Sequence, residues 1–175
     1  MKKLFSQEEI RDGVRRLAEE LTDLYGQRSL TIVGILTGSI VLLADLIRQL
    51  EMPLRVALIG PRQPTGQPGT RRTLVVSEAL LPSVRGRDIL VVDDIFGTGH
   101  TLAEVIARLK DQGPASIRSA VLMRKVGRSQ VACEPDHVVF EIPDEFVVGY
   151  GLDYNDKYRN LPYVAALEPG ELANE

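Results

Sequence analysis

The chain has 175 residues, one domain's worth, and that length buries enough surface to fold without disulfides or a structural metal. Its 44% hydrophobic and 26% charged residues exclude disorder as the main state, and a net charge of −3 argues against a dedicated nucleic-acid binder while allowing a local basic patch for phosphates. The single cysteine, Cys133, excludes a disulfide framework, no apolar stretch follows Met1 to Phe5 to make a signal peptide, and the apolar runs near Val41–Leu46 and Ile89–Val92 are too short to cross a bilayer, so the expected setting is the cytoplasm.

Ser6-Gln7-Glu8-Glu9 has the form of a capping box, and Ile10, Val14, Leu17, Leu21 and Leu24 recur at helical spacing up to about Tyr25, with Gly26 as the stop. Leu30 to Leu36 is a short, branched apolar run that predicts a buried strand. Gly38-Ser39 opens a second helix, and Leu54 to Ile59 predicts another strand. From Gly60 to Arg72 prolines, glycines, arginines and glutamines replace the pattern, which predicts a mobile loop. Strand character resumes at Thr73–Glu78 and again at Ile89–Asp93. A helix is expected over His100–Gln112, halted by Gly113-Pro114, then strands at Ile117–Met123, His137–Phe140 and Phe146–Val148. The acidic tail, Glu168 to Glu175, is expected to fray. Strands alternating with helices mean right-handed crossovers and a mostly parallel sheet, with ligands beyond the carboxyl ends of its strands.

The strongest local signal is Ile89-Leu-Val-Val-Asp-Asp-Ile-Phe-Gly-Thr-Gly-His-Thr-Leu102. A buried strand delivers Asp93 and Asp94, and Gly97, Thr98, Gly99 and Thr101 then make a tight turn into a helix. Such a turn aims backbone N–H groups and two hydroxyls at one point, at the positive end of the helix dipole, where a phosphate fits. The acids cannot face a phosphate, which leaves ribose hydroxyls or Mg²⁺. A Walker loop is excluded by the lack of Gly-Lys-Ser/Thr, and a dinucleotide fingerprint by the glycine spacing.

This stretch resembles the 5-phosphoribosyl-1-pyrophosphate (PRPP) loop of the type I phosphoribosyltransferases. Phe140-Glu-Ile-Pro-Asp-Glu-Phe-Val-Val-Gly-Tyr-Gly-Leu-Asp-Tyr-Asn-Asp-Lys-Tyr-Arg-Asn-Leu-Pro162 and Gly34-Ile-Leu-Thr-Gly-Ser39 with Ala44-Asp45-Leu46 are similar to the hypoxanthine-guanine branch of that family. The resemblance implies an α/β fold: one domain over 1–175, a mostly parallel sheet flanked by helices, and a small hood built from terminal segments. It also implies a mobile loop near 60–72 and a base-binding segment near 125–167. It implies transfer of phosphoribosyl from PRPP to N9 of hypoxanthine or guanine with release of pyrophosphate, Mg²⁺ as cofactor, and a homodimer or homotetramer.

Residue by residue, the resemblance gives Asp93 and Asp94 the ribose and a metal. Ile95, Phe96, Gly97, Thr98, Gly99, His100 and Thr101 would hold the 5-phosphate. Leu36, Thr37, Gly38 and Ser39 would bind pyrophosphate, through a non-proline cis peptide at Thr37, together with Arg159. Lys125 would donate to the 6-oxo group, Phe146 would stack on the purine, the Val147 backbone would meet its edge, and Asp153 would bind a second Mg²⁺. Lys110, Arg118, Arg124, His137 and the His100 ring read as surface groups, and Cys133 as incidental.

Three positions depart from the family pattern. Gly97 stands where the family carries an aspartate acting as general base toward N7, Thr37 where a lysine is usual, and Gly60-Pro61-Arg62 near where a Ser-Tyr pair closes over the site. They imply a slower enzyme, since general acid–base catalysis is worth about 10²–10⁴-fold. They leave open a different base acceptor, or a nucleotide-binding regulator without catalysis.

Overall fold

The structure is a computed structural model that describes residues 1–62, 73–75 and 84–172. In chain order its elements are β1 (Lys2–Phe5), α1 (Gln7–Tyr25), β2 (Leu30–Ile35), α2 (Ile40–Ile47), β3 (Leu54–Arg62), β4 (Thr73–Val75), β5 (Asp88–Phe96), α3 (His100–Lys110), β6 (Ser116–Lys125), β7 (His137–Ile142), β8 (Val147–Val148), β9 (Val164–Ala166) and α4 (Pro169–Leu172).

The large sheet has the order β4-β3-β2-β5-β6-β7, parallel throughout except for the antiparallel edge pair β3/β4. Strand β2 is buried at every position because both sheet faces are covered. Side-chain alternation divides the core. Ile32, Leu90, Val92 and Leu122 face α1 and α2, while Val33, Ile89, Val91 and Val121 face α3. From β2 the chain moves to β3 on one side, and from β5 to β6 and β7 on the other. The connections after β2 and β5 therefore diverge and leave a crevice at their carboxyl ends.

Helix α1 starts as its sequence requires. Ser6 Oγ accepts from the Glu9 N–H at 3.2 Å, and Glu9 Oε2 accepts from the Ser6 N–H at 2.8 Å. Its apolar stripe, Ile10, Val14, Leu17, Leu21 and Tyr25, is buried.

The expected α/β architecture, mostly parallel with a small hood from terminal segments, is what the chain adopts. The hood is the antiparallel sheet β1-β9-β8. Several local expectations need correction. Gly60 to Arg62, expected within a loop, extend β3 and pair with Val75 to Thr73; β3 outruns β2, whose pairing with it ends at Ile59, so Pro61 has a strand on one side only. The rest of that loop, 63–72, lies outside the described residues, as do 76–78 of the strand expected to reach Glu78. Residues Glu168–Leu172 do not fray. Pro169–Leu172 form α4, and Glu171 makes an ion pair at 2.7 Å with the Met1 amino terminus; the last three residues of the tail lie outside the described residues. His137, expected at the surface, is 15% exposed and sits with Nδ1 3.0 Å from Glu20 of α1.

Candidate active site

The crevice is a cleft of about 1110 Å³ lined from four segments: the end of β2, the β5–α3 turn, the end of β6 with the loop after it, and the stretch from Phe146 to Arg159. Along it run an anion cradle, a pair of buried acids and a cationic end beside an aromatic ring.

The cradle is the turn after β5. Gly99 is the N-cap of α3 in a left-handed conformation (φ 84°), and a Cβ there would meet Val131 and Phe96 side chains at 2.5–2.7 Å. Only glycine both adopts this φ cheaply and fits this space. Among the described residues the N–H groups of Gly97, Thr98 and Gly99 find no backbone acceptor, which leaves them for a ligand at the start of the helix. Thr98, His100 and Thr101 line the cleft. Phe96 does not: its ring is 2% exposed and packs in the core on the α3 side, so only its backbone belongs to the turn. Thr98 O accepts from the Gln130 N–H at 3.0 Å, which ties the loop after β6 to the cradle.

Asp93 and Asp94 both reach the cleft although they start on opposite faces of β5, because the strand ends at the cleft floor. Asp93 Oδ1 accepts from the Asp94 N–H at 2.9 Å, and Asp94 Oδ1 from the Ile95 N–H at 2.8 Å. Burial, and after it the charge of Asp94, pushes the Asp93 carboxyl well above the usual carboxylate range. Burial pushes Asp94 up as well, opposed by its hydrogen bonds and by Arg159. A cation beside the pair would relieve this, so the donor set fits a divalent ion.

Leu36, Thr37 and Gly38 line the cleft after β2, and the Leu36–Thr37 peptide bond is cis. A Cβ on Gly38 would fall 1.5 Å from an Asp94 carboxylate oxygen, so this loop can approach the acids only with glycine there. Ser39 turns away: it is fully buried and its hydroxyl donates to the Ile35 carbonyl at 2.5 Å. Its expected part in pyrophosphate binding is confined to the backbone. Arg159 lines the opposite wall, donating to the Gly151 carbonyl and pairing with Asp153 at 2.7 Å.

Lys125, Phe146, Val147, Leu152 and Asp153 complete the lining. Phe146 is 43% exposed and lines the cleft, its ring nearly perpendicular to that of Tyr154 at 5.3 Å between centroids. Asp153, expected to hold a metal, has both oxygens engaged, one by Arg159 and the other by the Asp156 N–H at 3.0 Å. Gly97 lies opposite Lys125, whose Cδ would be 4.0 Å from a Cβ at position 97, and its φ is not positive.

The sequence reading missed Arg128 and Glu104, which line the cleft, and Asp144, which pairs with Lys125. Glu104 could have been found one helical turn after His100. Arg128 sits in an irregular loop with no periodic signal.

The phosphoribosyl transferase domain family matches residues 2–155. The bifunctional protein TilS/HprT of Listeria innocua is 35% identical over 168 residues, which is 96% of this chain but 26% of that protein, so the chain spans about a quarter of the length of these relatives. The hypoxanthine-guanine phosphoribosyltransferase of Bacillus subtilis is 36% identical over 168 residues, 96% of this chain and 93% of that protein. The crystal structure of a hypoxanthine phosphoribosyltransferase from Staphylococcus aureus superposes with a TM-score of 0.90 at 35% identity, covering 99% of this chain and 95% of that one. Because the family match spans residues 2–155 and these relatives cover 96–99% of the chain at about 35% identity, this chain belongs to the phosphoribosyltransferase family, on its hypoxanthine-guanine branch.

Proposed function

We propose that the protein transfers the 5-phosphoribosyl group of PRPP to N9 of a 6-oxopurine, hypoxanthine or guanine, releasing pyrophosphate, as in purine salvage. The observation that carries this reading is the set of groups brought to one cleft: N–H donors at the start of α3, a buried diacid, and a lysine with an exposed aromatic ring. These are the groups that the phosphate, the ribose and the base of the product nucleotide need.

In this reading the N–H groups of Gly97 to Gly99 and the Thr98 and Thr101 hydroxyls hold the 5-phosphate. Asp93 and Asp94 hold the ribose hydroxyls and one metal ion. The backbone of Leu36 to Gly38 and the Arg159 guanidinium take the pyrophosphate, where a charged fork binds strongly. Phe146 stacks on the purine. Lys125 donates to its keto oxygen; an ammonium group has no acceptor, so the 6-amino group of adenine finds no partner there. Bound Mg²⁺, held through Asp93 and Asp94, supplies charge neutralisation for the leaving pyrophosphate. N9 then forms the bond to C1′ as the C1′–O bond to pyrophosphate breaks, in a transition state that needs charge stabilisation and positioning. Asp153, with both oxygens engaged, serves here by holding Arg159 in place.

The free thiol of Cys133 and the absence, among the described residues, of a helix long and apolar enough to cross a membrane suit a cytoplasmic enzyme. Ile40, Val56 and Leu58, each at least 40% exposed, suit burial in a homo-oligomer.

The test is direct: incubation with PRPP, Mg²⁺ and hypoxanthine or guanine, with the product identified by mass and by its N9 linkage. Formation of inosine or guanosine 5′-monophosphate is expected. Nucleotide binding without pyrophosphate release would favour a regulator instead, and turnover only with other bases would favour a different acceptor.

A further inference from the structure

The base end of the cleft carries more positive charge than a lysine reader needs. Lys125 Nζ lies 3.1 Å from one oxygen of Asp144 and Arg128 Nη1 lies 2.9 Å from the other, so two cations converge on one carboxylate. Both cations line the cleft. The carboxylates lining it are engaged: Asp153 with Arg159 at 2.7 Å, Glu104 with Arg108 at 2.5 Å, and Asp93 and Asp94 with the backbone N–H groups of Asp94 and Ile95. Gly97, opposite Lys125, brings no side chain. The base end thus has a positive balance and no carboxylate free to take a proton.

A 6-oxopurine shows two neighbouring acceptors on one edge, the keto oxygen and N7, whenever N7 is unprotonated; cationic donors read this edge of guanine in DNA. Arg128 is half-exposed, and among the described residues its hydrogen bond to Asp144 uses Nη1 alone, leaving Nε and Nη2 for the base. A purine with both N7 and N9 bare is a monoanion, which a net positive site favours.

Resting on the transferase reading above, we propose that this site takes its oxopurine as the monoanion, with Lys125 donating to the 6-oxygen and Arg128 donating to N7. The base gives its proton to solvent before it binds. The N9 lone pair forms the bond to C1′, the C1′–O bond breaks, and its electron pair leaves with pyrophosphate. N7 remains a bare acceptor in the product, so the Arg128 contact persists. With Lys125 and Arg128, the titratable and charged groups that line the cleft are His100, Glu104, Asp153, Arg159 and the Asp93–Asp94 pair, while Asp144 holds the two cations from outside the lining.

The test is calorimetric titration of wild type and Arg128→Gln with inosine 5′-monophosphate and with its 7-deaza analogue, in which a C–H replaces N7. Wild type is expected to bind the natural nucleotide about 10–100-fold more tightly, the range of one hydrogen bond to a charged group, and Arg128→Gln is expected to bind both alike with an unchanged melting temperature. The same preference in both proteins, or none in wild type, would overturn the assignment of Arg128 to N7. In turnover, kcat/KM for hypoxanthine should climb about tenfold per pH unit until the base ionises; a flat profile there would overturn the anion. A wild-type protein that binds neither nucleotide would overturn the transferase reading itself.

Discussion

Gly97 is the position where one atom's worth of space decides chemistry. Its φ is not positive, and a Cβ there would meet nothing nearer than Lys125 Cδ at 4.0 Å, so an aspartate fits without strain. Gly97→Asp should melt within a degree or two of wild type. It should also raise turnover of hypoxanthine at neutral pH, by up to about 10²–10⁴-fold, because a carboxylate can take the N7 proton of a neutral base. The gain should vanish at alkaline pH, where the base is already ionised. A stable variant with no gain at any pH would mean that the site has no use for a base there. Asp93 presents the reverse balance. Its raised carboxyl is most at ease protonated, so its contribution to stability is full below the ordinary aspartate range and is lost as pH rises through its folded value. Asp93→Asn should therefore raise the melting temperature at pH 7–8, by about 2–4 °C for each kcal/mol relieved, and lose that advantage in acid. It should also cut PRPP use, since a ribose or metal contact is gone. A lower melting temperature at pH 8 would refute the burial argument, and unaltered kinetics would remove Asp93 from the site.

Elements were legible in proportion to their periodicity. Helix α1 announces itself by a capping box and an apolar stripe, and the structure reproduces both. Ser6→Ala should accordingly cost about 0.5–2 kcal/mol, with turnover untouched because Ser6 does not line the cleft. Denaturant unfolding checks this, and an unchanged midpoint would mean that Glu9 alone holds the helix start. The buried strands β2 and β5 were equally plain, being short apolar runs. Strands β1 and β9 were not anticipated. They are short, and their partner lies at the other end of the chain, with Lys2 opposite Ala166. No local pattern carries such a pairing. The same reason hid Arg128, whose place in the cleft depends on the Gln130–Thr98 hydrogen bond rather than on any repeat.

At the scale of the whole molecule, the sheet order makes the site. Two crossovers leave β2 and β5 in opposite directions, and the gap between them receives the diacid and phosphate turn of one segment together with a glycine loop from much earlier in the sequence. The sequence shows each of these pieces. Strand–helix alternation already placed Leu36–Ser39 and Asp93–Thr101 at one end of a parallel sheet, but the close approach of Gly38 to Asp94, 56 positions apart in the chain, carries no local signal. The hood closes the same cleft by bringing the two ends of the chain together, with Val147 paired to Ala166 and Ala166 to Lys2. The central claim is that this cleft joins PRPP to a 6-oxopurine read by Lys125. The most direct measurement is the initial rate of pyrophosphate release with PRPP and Mg²⁺ across hypoxanthine, guanine, xanthine and adenine, in wild type and in Lys125→Ala. The account predicts turnover of the 6-oxo bases over adenine in wild type, and a loss of about 10-fold or more toward them in the variant, with the KM for PRPP within about twofold. Equal rates with adenine, or a variant that loses every base alike, would contradict it.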